Sequence, residues 1–250
     1  MTKTLLKNPN LYFDSNRLGV DLDMHTHVLP FHDNGPDTFD EAIEMCDMLV
    51  KLGFRYCIAT PHIMNEYYEN SEEKIVETTK RLSEKLAARN INLKLRPAAE
   101  YYIDSDFVLK LKSNKRLLTL DDENYHLLIE TAFLNEFDFL IHSIKRLQIF
   151  GYQPIISHPE KFNYLFEEDK KILQLKNMGI KFQVNMSSYL NSNIRSTKEN
   201  LLYLIDNKLV DFLGSNIHSL DAAVELSSLK ENPNFQKTLS IGIHNNDLKF

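Results

Sequence analysis

The residues best suited to chemistry in this sequence are histidines and carboxylates that stand where short apolar runs end. The first run ends in His25 and His27, which are separated by one threonine. The period-two alternation of a β-strand would place both imidazoles on one face, where neutral rings can bind a zinc, manganese or iron ion. Asp23, two residues earlier on that face, is expected to orient one ring. The pair alone is a weak signal, because polar residues also end strands that bind no metal.

Similar side chains follow the later apolar runs. They are His62 after the second run, Glu100 after the third, Glu130 and His158 at the ends of the fourth and fifth, and Asn216 and His218 after the seventh. A carboxylate that closes an apolar strand is costly without a partner, and that partner is either a metal ion or a buried ion pair. Each residue alone leaves both possibilities open. The six histidines and glutamates at the ends of the first five strands jointly predict a polynuclear metal site.

The sequence contains no motif for a serine or cysteine nucleophile. There is no Gly-x-Ser-x-Gly motif, and neither Cys46 nor Cys57 is followed by arginine six residues later. If this protein hydrolyses a phosphoester, the expected nucleophile is therefore a metal-bound hydroxide.

The elements that must position these residues are predicted from the alternation of apolar runs with longer amphipathic stretches, which is typical of βα units. We expect strands over residues 20–27, 55–60, 92–97, 125–130, 154–158, 181–185 and 210–215. A first helix should begin at Asp37 or Thr38, with Glu41 completing a capping box, and end at Gly53. Further helices are expected over residues 71–89, 107–112, 136–150, 168–178 and 197–207, with a mainly helical end.

Seven βα units in 250 residues favour an α/β fold of the distorted seven-stranded (β/α)7 TIM-like barrel type. In such barrels the active site lies at the carboxyl ends of the strands, where the histidines and carboxylates stand. An open doubly wound sheet is the alternative, but it should carry a glycine-rich loop after the first strand, and none is present. We expect a single domain over residues 17–250, preceded by a short arm over residues 1–16.

Composition narrows the class of protein further. The net charge is −6 and no run is rich in lysine or arginine, which argues against a nucleic-acid partner. No apolar stretch is long enough for a transmembrane helix, and no secretory signal is evident, so membrane insertion is not expected. The two cysteines form no disulfide framework, and a cytoplasmic location is the expectation.

Six motifs in order resemble the PHP (polymerase and histidinol phosphatase) superfamily: DMHTHVLPFHDNGPD, ATPH, AAEYY, LLIE, ISHPEK and LGSNIH. The sequence is most similar to the bacterial manganese-dependent tyrosine-protein phosphatase branch, which regulates capsule and exopolysaccharide synthesis. The resemblance covers about residues 20–220. It implies a PHP-type barrel that holds two or three divalent ions, commonly Mn²⁺, with iron, zinc or magnesium as alternatives.

The resemblance also implies roles for individual residues. One ion would be held by His25, His27, Glu100 and Asn216, a second by Glu100, Glu130 and His158, and a third by His62, His218 and the Asp33/Asn34 position. Lys161 would attract the phosphate, and His218 is a candidate proton donor. The implied substrate is phosphotyrosine on a protein, expected to be a cytoplasmic tyrosine kinase of the polysaccharide-export system.

Three positions depart from the family pattern. Asn216 and Asn34 stand where the family has aspartate, and Lys161 stands where it often has arginine. The arginine that the family has shortly after the last histidine also has no counterpart in the segment HSLDAAVE. Amides are poorer ligands than carboxylates for hard divalent ions. Three functions therefore remain open: an active phosphotyrosine phosphatase, a degenerate member that binds phosphorylated partners with little or no hydrolysis, and a PHP phosphoesterase for a small metabolite. An amidohydrolase is disfavoured, because the fourth predicted strand ends in Glu130 rather than in lysine.

Overall fold

The computed structural model describes residues 17–65, 67–112, 115–131, 137–167, 169–190 and 194–248, so the predicted arm over residues 1–16 lies outside the described residues. The strands are β1 (Leu22–Thr26), β2 (Tyr56–Ala59), β3 (His62–Ile63), β4 (Lys94–Pro97), β5 (Glu100–Tyr102), β6 (His126–Glu130), β7 (Gln153–Ser157), β8 (Lys181–Asn185) and β9 (Phe212–Gly214). The α-helices are α1 (Phe39–Leu52), α2 (Glu72–Ala88), α3 (Ser105–Lys112), α4 (Phe137–Ile149), α5 (Asp169–Asn177), α6 (Arg195–Asp206), α7 (Leu220–Glu225) and α8 (Pro233–Ile241).

The strands form two parallel sheets, β1-β2-β4 and β3-β5-β6-β7-β8-β9, in an α/β fold whose sheets curl. The predicted count of seven strands in one barrel is not what the described residues show. Two short strands were not predicted: β3 lies beyond the predicted strand over residues 55–60, and β5 lies beyond the one over residues 92–97. The division between β2 and β3 falls at Pro61, which has no backbone N–H to donate to a ladder.

The two sheets remain connected across these divisions. The N–H of Ala98 donates to the carbonyl of Ala59 at 2.8 Å, and the N–H of Glu100 donates to that of Pro61 at 3.2 Å. At the other side of the molecule, the N–H of Asn216 donates to the carbonyl of His25 at 2.8 Å. The curl thus brings the end of β1 beside the segment that follows β9.

The local signals for α1 are confirmed. Thr38 accepts the N–H of Glu41, and the Glu41 side chain binds back to the N–H of Thr38, which is the predicted capping box. The helix ends at Gly53, whose φ of 104° is left-handed. Ile43, Cys46 and Leu49 are buried on one face of the helix against the sheet. No helix among the described residues is long and apolar enough to cross a membrane.

Candidate metal centre

The curled sheet brings the predicted ligand residues to one place, although they come from distant parts of the chain. His25 lies in β1 and His27 follows it, while His62 and Glu100 begin β3 and β5. Glu130 ends β6, His158 follows β7, and Asn216 and His218 follow β9. The pairing of β1 with β2 is irregular between Asp23 and Thr26, which is where His25 stands. Such irregularities are common beside functional sites because they redirect a side chain.

Glu100 is the residue on which the cluster converges. Its Oε2 lies 3.2 Å from Nε2 of His25 and 3.1 Å from Nδ1 of His62. Its Oε1 lies 3.1 Å from Nε2 of His158. Burial alone would raise the pKa of this carboxyl, but the charges of His25 and His62 and the bond to His158 hold it well below its usual range. Glu100 is therefore an ionised, fully buried carboxylate among imidazoles.

Three groups of side chains offer donor atoms that lie within 4.8 Å of one another. They are His25, His27 and Glu100; His62, Glu100 and Glu130; and His27, Asp33 and His218. The groups share residues, as the ligands of a polynuclear site do. The grouping differs from the one that the resemblance implies, because His27 rather than His62 is grouped with Asp33 and His218.

Glu130 and His158 lie at one end of the cluster. The Glu130 carboxylate is 3.6 Å from Nδ1 of His62 and 3.7 Å from Nε2 of His158. Burial and the nearby charge of Glu100 raise the pKa of Glu130 to about 8. Without a cation, this carboxylate therefore retains a proton near neutral pH.

Asp33 anchors the other end. Its Oδ2 lies 2.7 Å from Nδ1 of His27 and accepts the backbone N–H of His62 at 3.0 Å. The His218 ring stacks on His27 with centroids 4.0 Å apart. Burial alone would lower the pKa of His27, but the charge of Asp33 and the bonds to Asp33 and Glu100 raise it to about 9. The carboxylates of Asp33 and Glu100 thus favour a positive charge on His27.

The donor set fits a divalent cation. Once a cation displaces the second proton of His27, the ring still donates its Nδ1–H to Asp33 and offers Nε2, which lies 3.1 Å from Nε2 of His25. Nδ1 of His62 is buried and has no hydrogen-bond partner among the described residues, although a Glu100 oxygen lies 3.1 Å away. Imidazole nitrogens and carboxylate oxygens that converge in this way are ligands for manganese, iron or zinc.

The three residues that depart from the family pattern occupy different places around the cluster. Asn216 has a left-handed φ of 50°, and its Oδ1 lies 3.2 Å from Nε2 of His218. Asn34 is exposed and stands next to Asp33, the residue whose carboxylate reaches His27. Lys161 is half-buried in the turn after β7. Burial and the charge of Lys161 lower the pKa of His158 to about 3, which indicates a cation close to this end of the cluster.

The structure adds residues that the sequence analysis missed and corrects one role. Asp23 does not orient an imidazole, because its Oδ1 accepts the backbone N–H of Ser215 at 2.9 Å. Gln183 on β8 contacts His25 instead, with its Oε1 2.8 Å from Nδ1. The available signal was a polar residue between Phe182 and Val184 in a buried strand. Tyr68 stacks on His62, with ring centroids 5.5 Å apart at 11°.

Two open cavities flank the cluster. One, of about 220 Å³, is lined by Tyr68, Tyr102 and Phe107 together with Glu69, Asp104 and Asp106. The other, of about 480 Å³, lies beside His218 and is lined by Asn34, Asp37 and Asp221.

A curled parallel α/β fold with a polynuclear donor set at the carboxyl ends of its strands defines the class of PHP-type metal-centre proteins. Within this class, residues 21–229 match the model of the family described as "Capsular polysaccharide synthesis, CpsB/CapC". The chain belongs to that family.

Relatives with known names agree with this assignment. The chain is 30% identical over 199 residues to the tyrosine-protein phosphatase YwqE of Bacillus subtilis, covering 80% of this chain and 78% of that protein. It is 26% identical over 205 residues to the tyrosine-protein phosphatase CpsB of Streptococcus agalactiae, covering 80% of this chain and 84% of that protein. It also resembles a crystal structure from work on YwqE of Bacillus subtilis and CpsB of Streptococcus pneumoniae, described as unique metal-dependent tyrosine phosphatases. The TM-score is 0.74 at 28% identity, over 88% of this chain and 85% of that one.

Proposed function

We propose that this protein is a metal-dependent phosphatase that hydrolyses phosphotyrosine on a protein. The observation that carries the proposal is the buried Glu100 carboxylate, which lies within 3.5 Å of ring nitrogens of His25, His27, His62 and His158. Such a set holds divalent ions, and the chain belongs to a family whose named members are tyrosine-protein phosphatases.

The proposed ligands are those that the sequence analysis named. They are His25, His27, Asp33, His62, Glu100, Glu130, His158, Asn216 and His218. Mn²⁺ is the proposed native ion, in two or three sites, because the resemblance to the manganese-dependent branch implies it; the mixed imidazole and carboxylate donors suit iron and zinc as well. Divalent ions held there would activate water and stabilise the negative charge that develops on the phosphoryl group.

Lys161 and His218 have different proposed roles. Lys161 attracts the phosphate as a point charge beside Glu130 and His158, without the two-pronged grip of an arginine. Burial and the charge of His27 lower the pKa of His218 to about 2, which favours a neutral ligand over a proton donor. A phenolate with a pKa near 10 is a good enough leaving group to need little protonation.

The partner is proposed to be a phosphotyrosine-bearing protein, namely a cytoplasmic bacterial tyrosine kinase that controls capsule synthesis. The names of the relatives support the phosphotyrosine part of this proposal. A cytoplasmic location is proposed with it, in agreement with two free and buried cysteines.

The finer architecture is proposed to be one PHP-type barrel domain over residues 17–250. Its seven units would count β2 with β3 and β4 with β5 as single divided strands. The backbone bond from Asn216 to His25 supports closure between β1 and the segment after β9.

The competing function is a degenerate member that binds phosphorylated partners, and Asn216 favours it because an amide replaces an anionic ligand. The test is phosphate release from a phosphotyrosyl peptide, a phosphoseryl peptide and histidinol phosphate, each with Mn²⁺ and with a chelator. The proposal predicts Mn²⁺-dependent release with the highest kcat/KM for the phosphotyrosyl peptide. Tight peptide binding without release would establish the binding role, and a preference for histidinol phosphate would establish a metabolite phosphatase.

A further inference from the structure

Gln183 lies behind the metal centre in the middle of β8 and is completely buried. Its Oε1 lies 2.8 Å from Nδ1 of His25. The same oxygen accepts the backbone N–H of His158 at 3.3 Å. One amide oxygen therefore touches two proposed metal ligands, one in β1 and one after β7.

The direction of these hydrogen bonds is fixed by the backbone. The N–H of His158 can only donate, so the atom of Gln183 that it meets must be the amide oxygen. The amide nitrogen of Gln183 then donates to Oδ1 of Asn185 at 3.0 Å. The assignment of oxygen and nitrogen in this side chain thus follows from its partners.

The tautomer of His25 follows from the same assignment. Because an oxygen faces Nδ1, that nitrogen must carry a proton, so a metal ion can bind the neutral ring only through Nε2. Nε2 lies 3.2 Å from Oε2 of Glu100 and 3.1 Å from Nε2 of His27. Nε2, the nitrogen left for the metal, therefore faces the centre of the cluster.

Gly214 on β9 allows Gln183 to come this close. A Cβ atom at position 214 would lie 2.5 Å from Cβ of His25 and 2.8 Å from Nε2 of Gln183. Any residue larger than glycine at position 214 would displace the side chains of His25 and Gln183 from their contact. The glycine, the glutamine and the histidine thus form one packed unit across three strands.

We propose that Gln183 is a positioning residue of the metal centre, which holds His25 as the tautomer protonated at Nδ1 and so keeps Nε2 available to a divalent ion. Partners of this kind set both the orientation of a metal-binding histidine and which of its nitrogens binds the metal. The inference rests on the proposed metal centre but requires no phosphatase chemistry.

Two variants and two measurements test this role. Gln183→Met removes the amide at similar length, and Gln183→Glu keeps an oxygen opposite Nδ1. Titration calorimetry with Mn²⁺ should show affinity about 10- to 100-fold weaker for Gln183→Met, with most of that loss restored in Gln183→Glu. In metal-free protein, ¹⁵N NMR of the His25 ring, assigned by its loss in His25→Asn, should show the proton on Nδ1 in the native protein and in Gln183→Glu.

A matched control separates positioning from stability. Asn245 is another buried amide, and it accepts the N–H of Leu213 and donates to the carbonyl of Leu22 without contacting the cluster. Asn245→Leu should lower the melting temperature but leave both the His25 tautomer and Mn²⁺ affinity unchanged.

A native His25 that carries no proton at Nδ1, or a Gln183→Met variant with native Mn²⁺ affinity, would overturn the inference. If Gln183→Met does not fold, the inference is tested by the His25 tautomer in the native protein and by the Mn²⁺ affinity of Gln183→Glu. Native protein that binds Mn²⁺ with the expected tautomer but releases no phosphate would refute the phosphatase function while supporting the role of Gln183.

Discussion

Glu100 is the residue on which the proposed chemistry depends most, because one buried carboxylate faces the ring nitrogens of four histidines. Glu100→Gln keeps its shape but removes the charge shared by two of the donor groups. We expect kcat/KM on a phosphotyrosyl peptide to fall by about 1000-fold, since metal stabilisation of the transition state is worth several kcal/mol. Steady-state assays at saturating Mn²⁺ would measure this fall.

The control for this variant is Glu199→Gln, which neutralises an exposed carboxylate paired with Arg195 in α6. It should retain activity within about twofold, as expected for an exposed ion pair. Nearly full activity in Glu100→Gln would show that the metal centre has been placed on the wrong carboxylate.

The sequence predicted the residues of the cluster better than the residues around it. His25, Glu100 and His158 were visible because each is a polar residue at the end of an apolar strand. Gln183 was not, because it contacts His25 from 158 positions away in the chain. Only the curl of the sheet brings the two together, and neither period nor spacing encodes that contact. The same limit explains the wrong role given to Asp23.

At the scale of elements, the cap of α1 offers a test of local structure that leaves the chemistry intact. Thr38→Ala removes the side-chain oxygen that accepts the N–H of Glu41. We expect a loss of about 1 kcal/mol in unfolding free energy and a fall of about 2–4 °C in melting temperature. Thermal denaturation followed by circular dichroism would measure it. Thr38→Ser retains the cap and should have the melting temperature of the native protein. An unchanged melting temperature in Thr38→Ala would show that the cap does not stabilise α1.

The segment between β3 and α2 forms one wall of the cavity beside the centre. It carries Tyr68, which stacks on His62 and faces the same cavity as Tyr102. We expect Tyr68→Leu to raise KM for a phosphotyrosyl peptide by about 5- to 20-fold, the effect of losing one aromatic contact with a bound aromatic ring. Peptide kinetics at fixed Mn²⁺ would measure the change.

Tyr125→Leu is the matched control for Tyr68→Leu, because Tyr125 immediately precedes β6 at its amino end, away from the centre. Its KM should equal that of the native protein. A Tyr68 variant with unchanged KM would mean that the substrate does not use this cavity.

Helices and strands were largely predictable because their signals are local. Ser71 caps α2 and Gly53 ends α1 where the sequence indicated, and β8 has the predicted bounds. The short strands β3 and β5, which follow the second and third predicted strands, were missed, although Pro61 stands between β2 and β3. A proline that follows a strand can end it or only interrupt it, and the neighbouring strands determine which of the two occurs.

At the scale of the whole molecule, the proposed metal centre joins β1, β3, β5 and β6 to the segments after β7 and β9. Ions that bind only the folded chain must therefore stabilise all of it. At free Mn²⁺ one hundred times the dissociation constant, one site contributes about 2.7 kcal/mol, or about 5–10 °C in melting temperature. Scanning fluorimetry with Mn²⁺ and with chelator would show this shift. The shift should be much smaller in Glu100→Gln, and an equal shift in that variant would place the ions elsewhere.

The overall charge also bears on the function. The chain carries a net charge of −6, yet the proposed substrate is a phosphate monoester. Bound divalent ions and Lys161 would reverse the potential locally, because an ion is often the largest charge in its site. Metal loading is thus expected to govern substrate binding as well as turnover.

The central claim is tested most directly by measuring phosphate release from a phosphotyrosyl peptide by the native protein with Mn²⁺ and with chelator, beside Asn216→Asp. The left-handed backbone at position 216 accepts either residue, so the variant changes the ligand charge alone. We predict Mn²⁺-dependent release by the native protein that chelation abolishes, and equal or faster release by the variant. No release by the native protein at saturating Mn²⁺, with release restored in Asn216→Asp, would contradict the account and show a phosphatase fold disabled at one ligand.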